Sequence, residues 1–180
     1  MTAFGIDLSL RSTGIASFDG ETWDTATIKS KPEDQSPGSF LARVDDIAAR
    51  IIGWCDPHQG DVIVMEGLAF NAKGSRVDRL HYAWWAVFRA ITEHHGEPYV
   101  IPPQVVKQIA TGKGNASKEQ VVIAMVPRLP DGLITGNDTA DACALAIAAA
   151  HLGGATPIPL PKTHLTGLTR MLGGHMKGMP

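Results

Sequence analysis

The chain has 180 residues, 44% hydrophobic and 19% charged, with a formal net charge of −2. That composition suits one globular domain with a full core, and no apolar run is long enough to span a bilayer. The N-terminus enters a strand-like segment at once, with no basic leader, and Cys55 and Cys143 make no disulfide framework, so a reducing cytoplasm is the expected compartment. Charge is distributed unevenly. Asp141 is the last acid, and Lys162, Arg170 and Lys177 follow it. Two internal stretches are also basic: one carries Lys73, Arg76 and Arg79, the other Lys107, Lys113 and Lys118. A polyanion contacts local patches, so the acidic balance does not exclude DNA, although each stretch alone reads equally well as solvated surface.

In chain order, residues 3–8, 13–18 and 22–28 read as three short strands joined by tight turns, an antiparallel meander. Residues 29–39 form a polar loop. Phe40, Val44, Ile47, Ile51 and Trp54 then make one apolar stripe at helical spacing, with Ser39 as the expected N-cap. Residues 61–66 form an apolar run without alternation, as a central parallel strand does. A loop over 67–76 leads to a helix over 77–95, and 98–101 form a last strand. Short helices follow near 103–110 and 116–126, around a Gly-rich turn at Thr111–Gly114. The final helix runs from Asn137 to about Leu152 and stops at Gly153-Gly154. Cys143 within it reads as a small buried hydrophobe. From Ala155 onward Pro, Gly and basic residues dominate, which predicts a tail with little structure of its own.

Four carboxylates stand out. Asp7 ends the first strand, Glu66 ends the fourth, and Asp138 and Asp141 open the final helix. An acid at the end of a buried strand is costly unless it is paired, protonated or bound to metal. Asp138 and Asp141 are three apart, so they share a helix face, and the apolar stretch from Ala142 to Ala150 pins that helix start against the sheet. Aspartate is also common in first turns, where it complements the helix dipole. Two hard cations about 3.5–4 Å apart need such a cluster of oxygen ligands, so a magnesium-dependent phosphoryl-transfer site is expected. His58, His94, His95 and Cys55 lack paired ligand spacing and do not read as a zinc site.

Several pieces carry a resemblance. They are Gly5-Ile6-Asp7 with Ser12-Thr13-Gly14, Val64-Met65-Glu66, Val106-Lys107-Gln108, the block Gly112-x-Gly114-x-Ala116-x-Lys118-x-x-Val121, and Asp138-x-x-Asp141-Ala142-x-Ala144-Leu145-Ala146. In this order, over about residues 3–152, the chain resembles the RuvC family of Holliday junction resolvases. The resemblance implies an RNase H-like α/β fold, a five-stranded mixed sheet flanked by helices, in a nuclease domain over 1–152 followed by a basic tail over 153–180. It implies cleavage of four-way DNA junctions by a homodimer, with two Mg²⁺ ions (or Mn²⁺) per site. Asp7, Glu66, Asp138 and Asp141 would be the metal ligands, and Lys118, with Lys107, would approach the scissile phosphate. Thr111–Asn115 looks like a backbone-amide cradle for DNA phosphates. It lacks Walker spacing.

Leu8-Ser9 stands where the family usually has Pro-Gly, and Phe70, the candidate for its junction wedge, sits one residue late. Phe70 would otherwise be unexplained exposed apolar surface, and stacking on bases or loop packing would each account for it. With Lys73, Arg76, Lys107, Lys113 and Lys118 it completes the candidate DNA contacts. On the helix 77–95, Tyr82 and Trp85 fall off the core stripe of Val77, Leu80, Trp84, Val87, Phe88 and Ile91, and a second aromatic face suggests a two-fold partner. The alternatives are a broader branched-DNA or flap nuclease and a DNA-binding domain with a vestigial site. An actin-like ATPase is disfavoured, because 180 residues cannot hold its two lobes.

Overall fold

The computed structural model describes residues 1–31, 34, 36–68 and 77–175, with side chains as far as residue 172. Five strands form one mixed sheet in the order β3-β2-β1-β4-β5. β1 (Ala3–Asp7), β2 (Ser12–Phe18) and β3 (Trp23–Lys29) are the expected antiparallel meander. β4 (Val62–Glu66) runs parallel to β1, and β5 (Tyr99–Ile101) parallel to β4. This is the five-stranded mixed sheet of an RNase H-like α/β domain.

Strand alternation assigns each face its helices. Phe4, Ile6, Ile15, Ile28, Ile63 and Met65 pack with α1 (Pro37–Cys55) and α2 (Val77–His94). Ala3, Ala16, Phe18 and Val64 face the opposite way, onto α5 (Asn137–Leu152), and α3 (Pro103–Thr111) and α4 (Lys118–Met125) join that core. α5 is sheathed on all sides, with every residue from Thr139 to Ala150 buried. Cys143 is among them, and burial pushes its thiol up to about 12.

Two expectations are corrected. Helix α1 starts before Ser39: Ser36 is the N-cap, its hydroxyl accepting from the Ser39 amide at 3.1 Å. Pro37 takes the first helical position, where its missing N–H costs nothing and its fixed φ suits the turn. The tail is not devoid of structure either, because Lys162–His175 form α6. Pro157, Pro159 and Pro161 end before it starts, and Leu165, Leu168 and Leu172 recur at helical spacing. Leu168 and His164 are buried, and Gln108 Nε2 donates to the Thr163 carbonyl at 3.0 Å, so α6 docks on α3.

Candidate active site

Asp7 and Glu66 end adjacent parallel strands, and the β1–β4 register that pairs Ile6 with Met65 sets them side by side at the next step. Alternation turns both toward α5. The turn between Asp7 and Ser12 is tied down from within: the buried Thr13 hydroxyl donates to the Ser9 carbonyl at 2.7 Å and accepts from the Ser9 amide. At the end of β4, Trp84 Nε1 donates to the Glu66 carbonyl at 2.8 Å, and the Gly67 amide reaches the Ile101 carbonyl.

Helix α5 brings the second pair of acids. Its backbone lies directly on β1 and β2 because both strands lack a side chain there. A Cβ on Gly5 would sit 2.2 Å from the Ala142 carbonyl oxygen, and one on Gly14 would sit 2.0 Å from that of Asp138. No side chain fits in that space. Both glycines and Ser12 lie within the resemblance motifs, which assign them no task of their own. Ser12 Oγ donates to Asp138 Oδ2 at 2.5 Å, so this serine holds one of the four carboxylates. A glycine on each strand facing a small-residue helix was the available signal.

The electrostatics show which groups converge. Burial, then the charges of Glu66 and Asp141, hold the Asp7 carboxyl well above its usual range, with Lys118 opposing and Asp138 adding to the rise. Burial and Asp141 push Glu66 up to about 7, against Lys118 and Lys107. Asp141 is raised by burial and by Asp138, again against both lysines. Asp7 and Asp141 are buried, Glu66 and Asp138 half-buried, and Lys118 is exposed at the first turn of α4. Four acids and two lysines thus feel one another's charge at the strand ends.

Among the described residues no three His, Cys, Asp or Glu side chains stand as a preformed ligand group. Asp138 is turned to Ser12. The donor set still suits a hard divalent cation in kind: all oxygen, mutually repelling, and prone to take up protons unless a positive charge intervenes.

Other expected residues separate. Lys107 and Lys118 reach the cluster, whereas Lys113 is exposed on the turn between their helices. The amide cradle needs correction. The amides of Gly112, Lys113 and Ala116 are used by Gln108, Thr111 and Lys113, which leaves Gly114 and Asn115 in the turn. Phe70, Lys73 and Arg76 lie outside the described residues.

Comparison with known proteins points to one family. Residues 3–151 match the family model for crossover junction endodeoxyribonuclease RuvC. The protein of that name from Bordetella avium is 30% identical over 99% of this chain and 100% of its own length. That from Rickettsia prowazekii is 31% identical over 81% of this chain and 94% of its own. The RuvC structure from Thermus thermophilus shares the fold, with TM-score 0.64 at 24% identity, covering 88% of this chain and 100% of its own. With acids at the ends of two adjacent strands and a family model matching residues 3 through 151, the chain belongs to the RuvC family of crossover junction endodeoxyribonucleases.

Proposed function

We propose that this chain hydrolyses phosphodiesters of four-way DNA junctions at the cluster of Asp7, Glu66, Asp138 and Asp141, which would hold two divalent ions, Mg²⁺ with Mn²⁺ as a substitute. The observation that carries this reading is the convergence of Asp7, Glu66 and Asp141 beside Lys107 and Lys118: burial raises all three, Asp7 further by Glu66 and Asp141, Glu66 by Asp141, and Asp141 by Asp138. Bound divalent ions would supply Lewis acidity to the phosphate and a lowered pKa to the attacking water. Asp7, coupled to all three other acids, is the best placed to serve both ions. Lys118 is exposed and lies close enough to stabilise the ionised acids, so its ammonium can also meet the phosphate and offset charge that develops there. Lys107 stands behind it as a second cation, and Lys113 on the exposed turn extends the phosphate track. Ser12 orients Asp138. The products would be nicks ending in 5′-phosphates.

Opposed incisions need two sites, and a homodimer supplies them. The surface that fits a second copy is the aromatic flank of α2: Tyr82 and Trp85 are 48% and 59% exposed, with the half-buried Phe88 ring 5.6 Å from Trp85. A two-fold contact would cover that area. Residues 1–152 carry the proposed chemistry, and Lys162–His175 add the helix that packs on α3. The place of action is the cytoplasm. Among the described residues no helix is long and apolar enough to cross a membrane.

The test is cleavage of labelled four-way junctions, flaps, forks and linear duplex, with and without Mg²⁺. Paired symmetric nicks confined to four-way junctions are the expected result. Equal cutting of flaps would move the reading to a broader branched-DNA nuclease. Binding without cutting under every metal condition would leave only a DNA-binding domain.

A further inference from the structure

Next to the carboxylates, a groove of about 530 Å³ runs between β3 and the residues leading into α5. β3 is the edge strand opposite β5, so the groove opens on the far side of the site from the strand that leads into α3 and Lys107. One wall is Ser12, Thr25, Thr27 and Lys29, and the other is Thr135 and Asp138. The wall follows from register: Ser12 pairs with Lys29 and Gly14 with Thr27, and alternation turns residues 25, 27 and 29 to the α5 side. The Ser12–Asp138 hydrogen bond is where the groove meets the catalytic cluster.

Some of its polar groups are already used. The Thr25 hydroxyl donates to the Leu133 carbonyl at 2.8 Å, and the amides of Thr135 and Gly136 both donate to Thr139 Oγ1. The hydroxyls of Thr27 and Thr135 and the ammonium of Lys29 have no partner among the described residues. The rim is basic as well. The Ser30 amide donates to the Arg11 carbonyl, which brings exposed Arg11, Lys29 and Lys31 to one end of the strand pair. A row of spare donors under a cationic rim, ending on the reactive carboxylates, calls for an extended ligand rich in acceptor oxygens. A sugar–phosphate backbone offers this at every step, whatever the base.

We propose that this groove holds the backbone of the DNA strand on the side of the cleaved bond away from Lys107 and Lys118, with Lys29 contacting a phosphate and Thr27 and Thr135 donating to its oxygens or the sugar. The proposal rests on the junction-nuclease reading. Lysines would then grip the strand on both flanks of the carboxylates, and a strand held at two points presents the bond between them in one orientation.

The test is equilibrium binding of fluorescent four-way junctions without divalent ions, using the full chain. Lys29→Ala should lose about five- to tenfold in affinity at 0.1 M salt, and its plot of log affinity against log salt should be shallower by about 0.9, the signature of one lost phosphate contact. Thr27→Val keeps the side-chain shape and strand preference, so it should lose about two- to threefold with the slope unchanged. Junctions carrying a single methylphosphonate linkage then locate the contact. Wild type should lose affinity for one uncharged linkage on one side of the cut site, and Lys29→Ala should not distinguish it from the natural one. Lys29→Ala binding with wild-type affinity and slope overturns the proposal. So does a Lys29→Ala protein that still senses every linkage the wild type senses. Cleavage is scored separately on wild type with Mg²⁺, so failure of the nuclease reading shows as uncut junctions and failure of the groove as unaltered binding.

Discussion

The two faces of the sheet solve the same packing problem in opposite ways. On one, α5 brings alanines to glycines, and its backbone rests directly on β1 and β2. On the other, α1 and α2 bring Trp84, Val87, Ile91, Ile47 and Ile51 against Phe4, Ile6 and Met65, with bulky side chains filling the layer between. Both faces exclude water, but only close contact fixes the helix start within the reach of Asp7 and Glu66. Side chains in a thick core can repack around a small displacement, whereas a carbonyl against a glycine cannot. The proposed chemistry sits on the face with the least slack. The thicker face leaves an aromatic edge uncovered at Tyr82 and Trp85.

The largest effect expected from breaking this arrangement is on catalysis. Asp7→Asn should lower junction cleavage on the order of 10³-fold or more, since several kcal/mol of metal-dependent stabilisation depends on that charge. Junction binding should survive, because the basic groups are untouched. Near wild-type cutting by Asp7→Asn in Mg²⁺ would remove it from the metal site.

Next comes a direct comparison of the two faces through neighbours on β1. Gly5→Ala forces a methyl into the Ala142 carbonyl and should cost about 3–5 kcal/mol, as severe overpacking does. Phe4→Leu on the opposite face should cost about 1–2 kcal/mol, because that core can close around the change. Thermal and urea melts measure both. Equal losses would show that the closeness of α5 has no special energetic weight.

Most of the fold was legible because its signals are local. Strand lengths, the unalternating run of β4 and the apolar α5 follow from neighbours in sequence. α6 is not legible from composition, because Pro, Gly and basic residues over 155–180 mask Leu165, Leu168 and Leu172, which recur at helical spacing. The convergence of the four acids could be anticipated, since strand ends and a first helical turn are positions the sequence marks. The task of Ser12 could not be, because its bond to Asp138 spans 126 positions and depends on how α5 crosses the sheet. Spare donors in the β3 groove were hidden for the same reason: only the register shows that Ser12, Thr27 and Lys29 share a face.

The exposed edge of the thick face gives the third prediction. Trp85→Glu should produce a folded monomer, since a charge buried at a two-fold contact costs about 3 kcal/mol or more. Sedimentation would show the change in mass, and paired opposed nicks should give way to residual single nicking, each site being built within one chain. A Trp85→Glu protein that remains dimeric and cuts in pairs would move the interface elsewhere.

The last effect is a pH dependence that belongs to the α5 face. In the folded chain Glu66 titrates at about 7, against 4.5 unperturbed, because burial and Asp141 disfavour its charge. Between those values the folded state keeps a proton that the unfolded chain releases. The contribution of this group is therefore fully present below about 4.5 and lost as pH rises through about 7. Asp7 and Asp141 shift in the same direction and steepen the trend. In EDTA the melting temperature should fall from pH 5 to pH 8, by the equivalent of on the order of 2 kcal/mol after allowance for partial solvent access. Mg²⁺ should restore it most at the alkaline end, where no proton competes for the carboxylates. Glu66→Gln should flatten the slope and, without metal, melt above wild type at pH 8, since an amide carries no charge to repel its neighbours. A wild-type melting temperature that climbs across this range in EDTA would mean that the acids are not crowded in solution as they are in the fold.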